Sequence, residues 1–173
     1  EAIELPQDYT THFDLEPLTA ESYRVPTDEQ TSAVVDQYAA WTTHHRDGSV
    51  AIVGEAGMGK TTLVNQLLAA LPVPAEDVLR SELTDKLTTE ADVIAFVAKT
   101  FGFDDVPETL EALEQAILDD PSPVVVIDNA HHFFLKSMGG MAGLEAFLHV
   151  VNMTCHNVFW ITTFNAYSWY FVT

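Results

Sequence analysis

The stretch Gly54-Glu55-Ala56-Gly57-Met58-Gly59-Lys60-Thr61 decides the fold of this chain. It follows a short apolar and β-branched run at residues 49–53. After it, apolar residues recur at helical spacing, at Leu63, Val64, Leu67, Leu68 and Leu71. A glycine-rich turn between a buried strand and a helix lets several backbone N–H groups surround one phosphate group. The sequence therefore predicts a strand, a phosphate-binding loop and a helix, in that order.

The residue types in this loop each have a physical role in binding a nucleotide. Glycines allow the backbone N–H groups to point inward around the β-phosphate, and the helix N-terminus adds its positive end. Lys60 is placed to reach the β- and γ-phosphate oxygens, and the Thr61 hydroxyl is a ligand suited to Mg²⁺. We therefore expect residues 54–61, together with Thr62, to bind ATP or ADP with Mg²⁺, and Lys60 to take part in catalysis.

Strands and helices alternate along the rest of the chain. Short apolar runs at 124–127 and 158–162 predict two further strands, and another short strand is predicted near 78–81. Helix starts are predicted at Thr27 with Gln30, at Thr89 with Asp92, and at Pro107. This alternation is typical of βαβ units, so we predict an α/β fold, a three-layer αβα sandwich with a mainly parallel sheet. The strand at 49–53 is expected to be covered on both faces.

The first part of the chain differs from the remainder. Residues 1–26 contain three prolines and show no clear period, which predicts an extended N-terminal arm on the surface of the domain. Residues 27–173 are then expected to form one nucleotide-binding domain.

A second polar position follows the apolar run 124–127. Asp128 ends this predicted strand, where a carboxylate would lie beside the phosphate-binding loop and hold Mg²⁺ through a water molecule. Asn129 comes next, at the place where nucleotide-hydrolysing sites usually carry a carboxylate that orients or deprotonates water. An amide can position a water molecule but cannot take its proton. Two interpretations follow, a slow ATPase and a nucleotide-gated switch or scaffold that does not hydrolyse ATP.

Two further positions are candidates for the same site. Asn165 would face the γ-phosphate and report its presence if its strand lies between the other two; otherwise it is a turn-forming residue. An imidazole of His131 or His132 would partly replace the absent base, although polar support of the loop is the favoured interpretation.

The composition limits the compartment and the partners. The formal net charge is -19, and such a surface repels phosphate backbones, which argues against direct nucleic-acid binding. Cys155 is the single cysteine, so no internal disulfide framework exists and a cytoplasmic location is expected. No apolar stretch in the sequence is long enough to cross a bilayer, although a longer protein with membrane attachment elsewhere stays open.

Taken together, these residues resemble the core of AAA+ ATPases and the related STAND ATPases, over roughly residues 25–165. Residues 54–61 correspond to Walker A, residues 124–128 to Walker B, and Asn165 to sensor 1. Asn129 departs from the pattern, since the family has a glutamate there. The resemblance implies an ATP-binding regulatory or motor module of a larger protein, with protein partners or self-association. A small-molecule kinase is disfavoured because the sequence has only three arginines.

The same resemblance carries three finer expectations. Val25 and Pro26 would pack against the adenine base, unless they form a plain helix entry. The fifth strand and the helical lid of the family would lie beyond Thr173. The arginine that the family supplies to the γ-phosphate would also come from there, or from Arg24, Arg46 or Arg80. The run 83–107 further resembles the origin-recognition and transposition-helper branch.

Overall fold

The computed structural model describes residues 28–45, 48–134 and 140–171. These residues contain four β-strands, which are, in chain order, β1 (Ser49–Gly54), β2 (Val78–Glu82), β3 (Val124–Asp128) and β4 (Phe159–Asn165). The helices are α1 (Asp28–His44), α2 (Lys60–Ala70), α3 (Glu90–Phe101), α4 (Leu110–Asp119), α5 (Ala142–Thr154) and the short α6 (Ala166–Trp169). Single 3₁₀ turns precede β2, at Ala75–Asp77, and follow β3, at Ala130–Phe133.

The sheet is parallel throughout the described residues, in the order β1-β4-β3-β2. Gly54 at the end of β1 is the register partner of Asn165 at the end of β4. Glu82 at the end of β2 is the register partner of Asp128 at the end of β3. All four carboxyl ends therefore meet at one edge of the sheet, where ligands bind in open α/β sheets.

The sheet separates two hydrophobic clusters. On one face, Val124 and Val126 of β3 pack with α1 and α2; on the other, Val125 and Ile127 pack with α3, α4 and α5. This division follows from the alternation of side chains along a strand. All four of these side chains are fully buried. The predicted α/β fold, a parallel sheet between two layers of helices, is confirmed.

Several helix ends lie where local sequence signals place them. Thr89 forms the expected capping box with Asp92, and Gly102 ends α3 in the left-handed conformation at φ 75°. The sequence predicted that α4 starts at Pro107, which was wrong. The N-cap of α4 is Thr109, whose hydroxyl accepts from the backbone N–H of Ala112. A hydroxyl that binds an exposed backbone donor fixes a helix start more firmly than Pro107 two residues earlier.

Two strand expectations need correction. The first strand was expected to be covered on both faces, but Ser49, Ala51 and Val53, on one face of β1, are exposed within the described residues, and β1 lies at one edge of the sheet. An apolar run of this length suits an edge or a centre equally, so its composition did not decide the position. The last strand was predicted to end at Thr162 but continues to Asn165, so Thr163 lies within β4.

The helices described here include none that is long and apolar enough to span a bilayer. The predicted arm at 1–26, the helix start at Thr27, and the adenine contacts predicted at Val25 and Pro26 lie outside the described residues.

Candidate nucleotide-binding site

The glycine-rich loop joins β1 directly to α2 at the carboxyl edge of the sheet. Gly57 and Gly59 adopt left-handed backbone conformations, with φ of 79° and 80°. A Cβ atom on either glycine would meet nothing within 4 Å, so the requirement for glycine comes from the backbone conformation and not from crowding. The carbonyl of Gly59 accepts from the N–H of Leu63 and so begins the α2 hydrogen bonds. The loop therefore presents the N-terminus of α2 to the site.

Lys60 lies over this loop. Its ammonium group donates to the carbonyl oxygens of Gly54, at 3.0 Å, and of Glu55, at 2.8 Å. Partial burial lowers the pKa of Lys60, and the negative charge of Asp128 opposes that shift. The first residue of α2 and the last residue of β3 therefore lie close enough for the charge of Asp128 to act on Lys60. Thr61 and Thr62 are half-buried in the first turn of α2.

Asp128 is held by residues from both neighbouring strands. Its Oδ1 accepts from the Thr163 hydroxyl of β4 at 3.0 Å, and its Oδ2 accepts from the Arg80 guanidinium of β2 at 2.7 Å. Arg80 also donates to Asn65 of α2 at 2.7 Å. Asp128 is 6% exposed, and burying a carboxylate to this extent costs free energy unless such partners are present.

The donor set suits Mg²⁺, which takes oxygen ligands and usually keeps several waters and phosphate oxygens. The oxygens on offer are the Thr61 hydroxyl, in the first turn of α2, and the Asp128 carboxylate, near Lys60. Among residues 28–45, 48–134 and 140–171, no group of three or more His, Cys, Asp or Glu side chains could hold a metal ion. Mg²⁺ would thus share its shell with the phosphates of the nucleotide.

Asn129 directly follows β3 and makes one contact with β4 and one with β2. Its backbone is left-handed, with φ 59°, and its N–H donates to the Thr163 hydroxyl at 2.9 Å. Its side-chain Nδ2 donates to Oε1 of Glu82, the last residue of β2, at 3.0 Å. The amide is therefore engaged with a carboxylate from the neighbouring strand.

Asn165 satisfies the positional condition set by the sequence, because β4 lies between β1 and β3. Its Oδ1 accepts from the backbone N–H of Tyr167 at 3.0 Å, so the residue caps α6. The turn-forming role considered for it is thus present in the structure. The amide nitrogen of the same side chain carries two further donors.

The two histidines follow Asn129 in a 3₁₀ turn, with their rings nearly perpendicular and 4.6 Å apart. Burial lowers the pKa of His131 to about 4, helped by the charges of His132, Lys86 and Lys60. Burial also lowers the pKa of His132, and Lys86 adds to that shift. Both rings are neutral near pH 7, and a ring of such low proton affinity is a weak base. This supports the packing role over the catalytic one.

One residue of the site, Glu82, was missed by the sequence reasoning, and Arg80 and Thr163 were not expected to hold Asp128. Glu82 carried a weaker form of the signal at Asp128, since it is the acidic last residue of a short strand that also contains Arg80 and Ser81. Arg80 and Thr163 lie inside strands and gave no comparable signal. Arg24 and Arg46, considered as sources of an arginine for the γ-phosphate, lie outside the described residues, and Arg80 is engaged by Asp128 and Asn65.

Comparisons with known proteins agree with this geometry. The sequence profile of the AAA domain family matches residues 43–164. No curated protein matches the chain. Among solved structures, the Walker-type ATPase of Pyrococcus abyssi is 16% identical with a TM-score of 0.51, over 89% of this chain and 49% of that one.

A second similar structure is Drosophila ORC bound to AT-rich DNA and Cdc6. It is 11% identical with a TM-score of 0.45, over 80% of this chain and 49% of that one. The chain spans about half the length of the solved structures it matches. Likeness at such low identity concerns the fold alone.

Proposed function

The chain belongs to the AAA domain family, and from this premise we propose that it is an ATP-binding module of a larger protein that hydrolyses ATP slowly with Mg²⁺. The observation that carries the proposal is the left-handed loop of Gly57 and Gly59 that leads into α2 and places Lys60 over its carbonyls, at the same sheet edge where Asp128 ends β3. In this arrangement Lys60 binds the β- and γ-phosphates, while Thr61 and Asp128 bind Mg²⁺ directly or through water.

Asn165 fits a role as the residue that detects the γ-phosphate. Its Oδ1 is occupied by the cap of α6, which leaves the two N–H donors of the amide for a phosphate oxygen. Capping and sensing therefore use different atoms of one side chain. The cap is compatible with the sensing role, because it engages Oδ1 and not the amide nitrogen.

The larger protein is proposed to act through other proteins or through copies of itself. The net charge of -19 supports protein partners over direct contact with nucleic acid by this chain. In an assembly, a neighbouring subunit could supply an arginine to the γ-phosphate, since Arg80 is already engaged within the described residues.

A second candidate function is a switch or scaffold that binds nucleotide without hydrolysing it. It is favoured by Asn129, which cannot accept a proton from water, and by Arg80, which occupies an oxygen of Asp128. In this case ATP and ADP would stabilise different interaction surfaces, and phosphate release would be absent.

Calorimetry on the full-length protein with ATP, ADP and GTP, with and without Mg²⁺, tests the binding part of the proposal. We expect ATP and ADP to bind and Mg²⁺ to strengthen binding. A phosphate-release assay on the same sample separates the two candidates, and Lys60→Ala identifies release that belongs to this site. Lack of binding by any of the three nucleotides would contradict both candidates.

A further inference from the structure

The carboxylate that accepts from the Asn129 side chain belongs to Glu82, at the end of the neighbouring strand. The two side chains share a hydrogen bond of 3.0 Å between Nδ2 and Oε1. Glu82 is also the register partner of Asp128, and the next residue, Leu83, donates its N–H to the Asp128 carbonyl at 3.0 Å. Glu82 is therefore fixed at the same sheet edge as the expected metal ligand.

The backbone of Asn129 is set so that its side chain reaches this carboxylate. The left-handed conformation of Asn129 and the bond from its N–H to Thr163 hold the main chain against β4. The side chain then meets β2 on the other side of β3. Glu82 itself is exposed, so its second oxygen is accessible to water.

The other basic groups near this edge are poor candidates for taking a proton. His131 and His132 are neutral rings whose proton affinity is reduced by burial and by neighbouring lysines. Lys60 is a hydrogen-bond donor to two carbonyls. Asp128 accepts from both Arg80 and Thr163. Glu82 differs from these groups, since it is an exposed carboxylate whose Oε1 accepts from the Asn129 amide.

We infer that Glu82 orients and deprotonates the attacking water, and that Asn129 holds Glu82 in place for this step. The inference rests on the proposed function and specifies its catalytic group. A carboxylate and an amide lie side by side at this edge, with the carboxylate on β2 and the amide after β3.

In the inferred step, Oε2 of Glu82 accepts a proton from water while the water oxygen bonds to the γ-phosphorus. The bond between the γ-phosphorus and the bridging oxygen breaks, and ADP leaves with that electron pair. Glu82 later returns the proton to solvent, so ATP and water give ADP, inorganic phosphate and one proton. Oε1 stays bound to Asn129 throughout, which keeps the carboxylate from turning away.

The alternative is an indirect role, in which Glu82 only positions Asn129 and the amide alone orients the water. The two roles predict different rank orders for the phosphate-release rates of the Glu82 and Asn129 variants. If Glu82 acts only through Asn129, then Glu82→Gln cannot lower the rate more than Asn129→Ala does. If Glu82 takes the proton, then Glu82→Gln is the more severe change.

The test is single-turnover phosphate release and ATP affinity, both measured on the full-length protein. We expect Glu82→Gln to lower release about a hundredfold or more with ATP affinity unchanged, as removal of a general base does. Asn129→Ala should lower release about tenfold. Glu76→Gln, an exposed acid just before β2 at its opposite end, is the matched control and should behave as wild type.

An exchange variant gives a second measure. Glu82→Asn combined with Asn129→Glu keeps the pair but moves the carboxylate, and we expect it to release phosphate faster than Glu82→Gln. Asn129→Glu alone sets two carboxylates together with no donor between them. If Glu82→Gln does not fold, Glu82→Asp, which withdraws the carboxylate by one methylene, should still show the loss.

The outcomes separate this inference from the proposed function. Release by Glu82→Gln at the wild-type rate, with Lys60→Ala inactive, overturns the inference and leaves the ATPase proposal standing. A Glu82→Gln loss no greater than that of Asn129→Ala also overturns it. No Lys60-dependent release by the wild type overturns both the inference and the hydrolytic proposal, whereas ATP binding would still support the switch.

Discussion

Nη2 of Arg80 lies 2.7 Å from Oδ2 of Asp128, so a guanidinium from β2 holds the carboxylate that ends β3. The Arg80 side chain is 34% exposed and that of Asp128 is 8% exposed. The same carboxylate is the expected ligand of Mg²⁺ or of a water in its shell. Arg80 and Mg²⁺ would then compete for one carboxylate, and the ion pair would raise the Mg²⁺ concentration that the site needs.

Arg80→Gln should lower the Mg²⁺ concentration required for half-maximal ATP binding. A partly exposed ion pair contributes up to about 1 kcal/mol, which corresponds to about fivefold in the Mg²⁺ requirement. Titration of Mg²⁺ at fixed ATP, followed by calorimetry, measures this change. Arg80→Lys keeps a positive charge near Asp128, so its Mg²⁺ requirement should lie between those of the wild type and of Arg80→Gln. A higher requirement in Arg80→Gln would mean that the guanidinium aligns Asp128 for the metal.

Lys60→Ala should weaken ATP binding by roughly tenfold or more, because it removes a charge-assisted contact to the phosphates. Thr61→Ala should weaken binding to a similar extent when Mg²⁺ is present and less when it is absent. Calorimetry measures both effects, and thermal unfolding shows that the variants are folded. Lys99→Ala, in the last turn of α3, is the control for loss of a lysine. Equal affinity in all four proteins would place the phosphates elsewhere.

Thr163→Val should destabilise the fold by about 1–3 kcal/mol, although the volume of the side chain hardly changes. The Thr163 hydroxyl is 1% exposed, donates to Asp128 and accepts from the N–H of Asn129. Its removal leaves a buried carboxylate oxygen and a backbone N–H without that partner. Urea unfolding measures the loss, and Thr163→Ser, which keeps the hydroxyl, should lose less. Stability equal to wild type in Thr163→Val would show that water replaces the hydroxyl.

The stability of the fold should fall as the pH is lowered from about 6.5 toward 4, in part because of His131. The pKa of this ring is about 4 in the folded protein and near 6.5 when unfolded. Between these values the unfolded chain binds more protons, so protonation favours unfolding. Solvent screens a half-exposed ring, so the effect is smaller than the full shift implies.

Urea unfolding at pH 7.5 and 5 measures this pH dependence. His131→Gln should show a smaller loss between the two pH values than wild type. His44→Gln, an exposed histidine at the end of α1, serves as the comparison and should lose as much as wild type. An identical pH dependence in all three proteins would assign the effect to other groups.

Local patterns in the sequence predicted the phosphate-binding loop, the helix capped at Thr89 and the strand that ends at Asp128. Such signals lie within a few residues of one another, so they can be read without knowing the fold. They also predicted that Asn165 would face the phosphates only if its strand lay between the other two, and the strand order in the structure meets that condition.

Contacts between distant residues could not be predicted in the same way. The bond between Asn129 and Glu82 joins residues 47 apart, and that between Thr163 and Asp128 joins residues 35 apart. Both depend on the strand order and register, which no local pattern specifies. The exposed position of Val53 also depends on which strand lies at the edge.

The cap of α6 by Asn165 has an optical consequence. Trp169 lies on that short helix, half-buried, with its ring centroid 5.1 Å from that of Phe164, whereas Trp41 and Trp160 are buried in the two cores. If a bound γ-phosphate draws the amide of Asn165 toward it, the helix shifts and the indole of Trp169 changes its contact with solvent. Its emission would then report on the nucleotide state, while the emission of the two core indoles would report on whether the domain is folded.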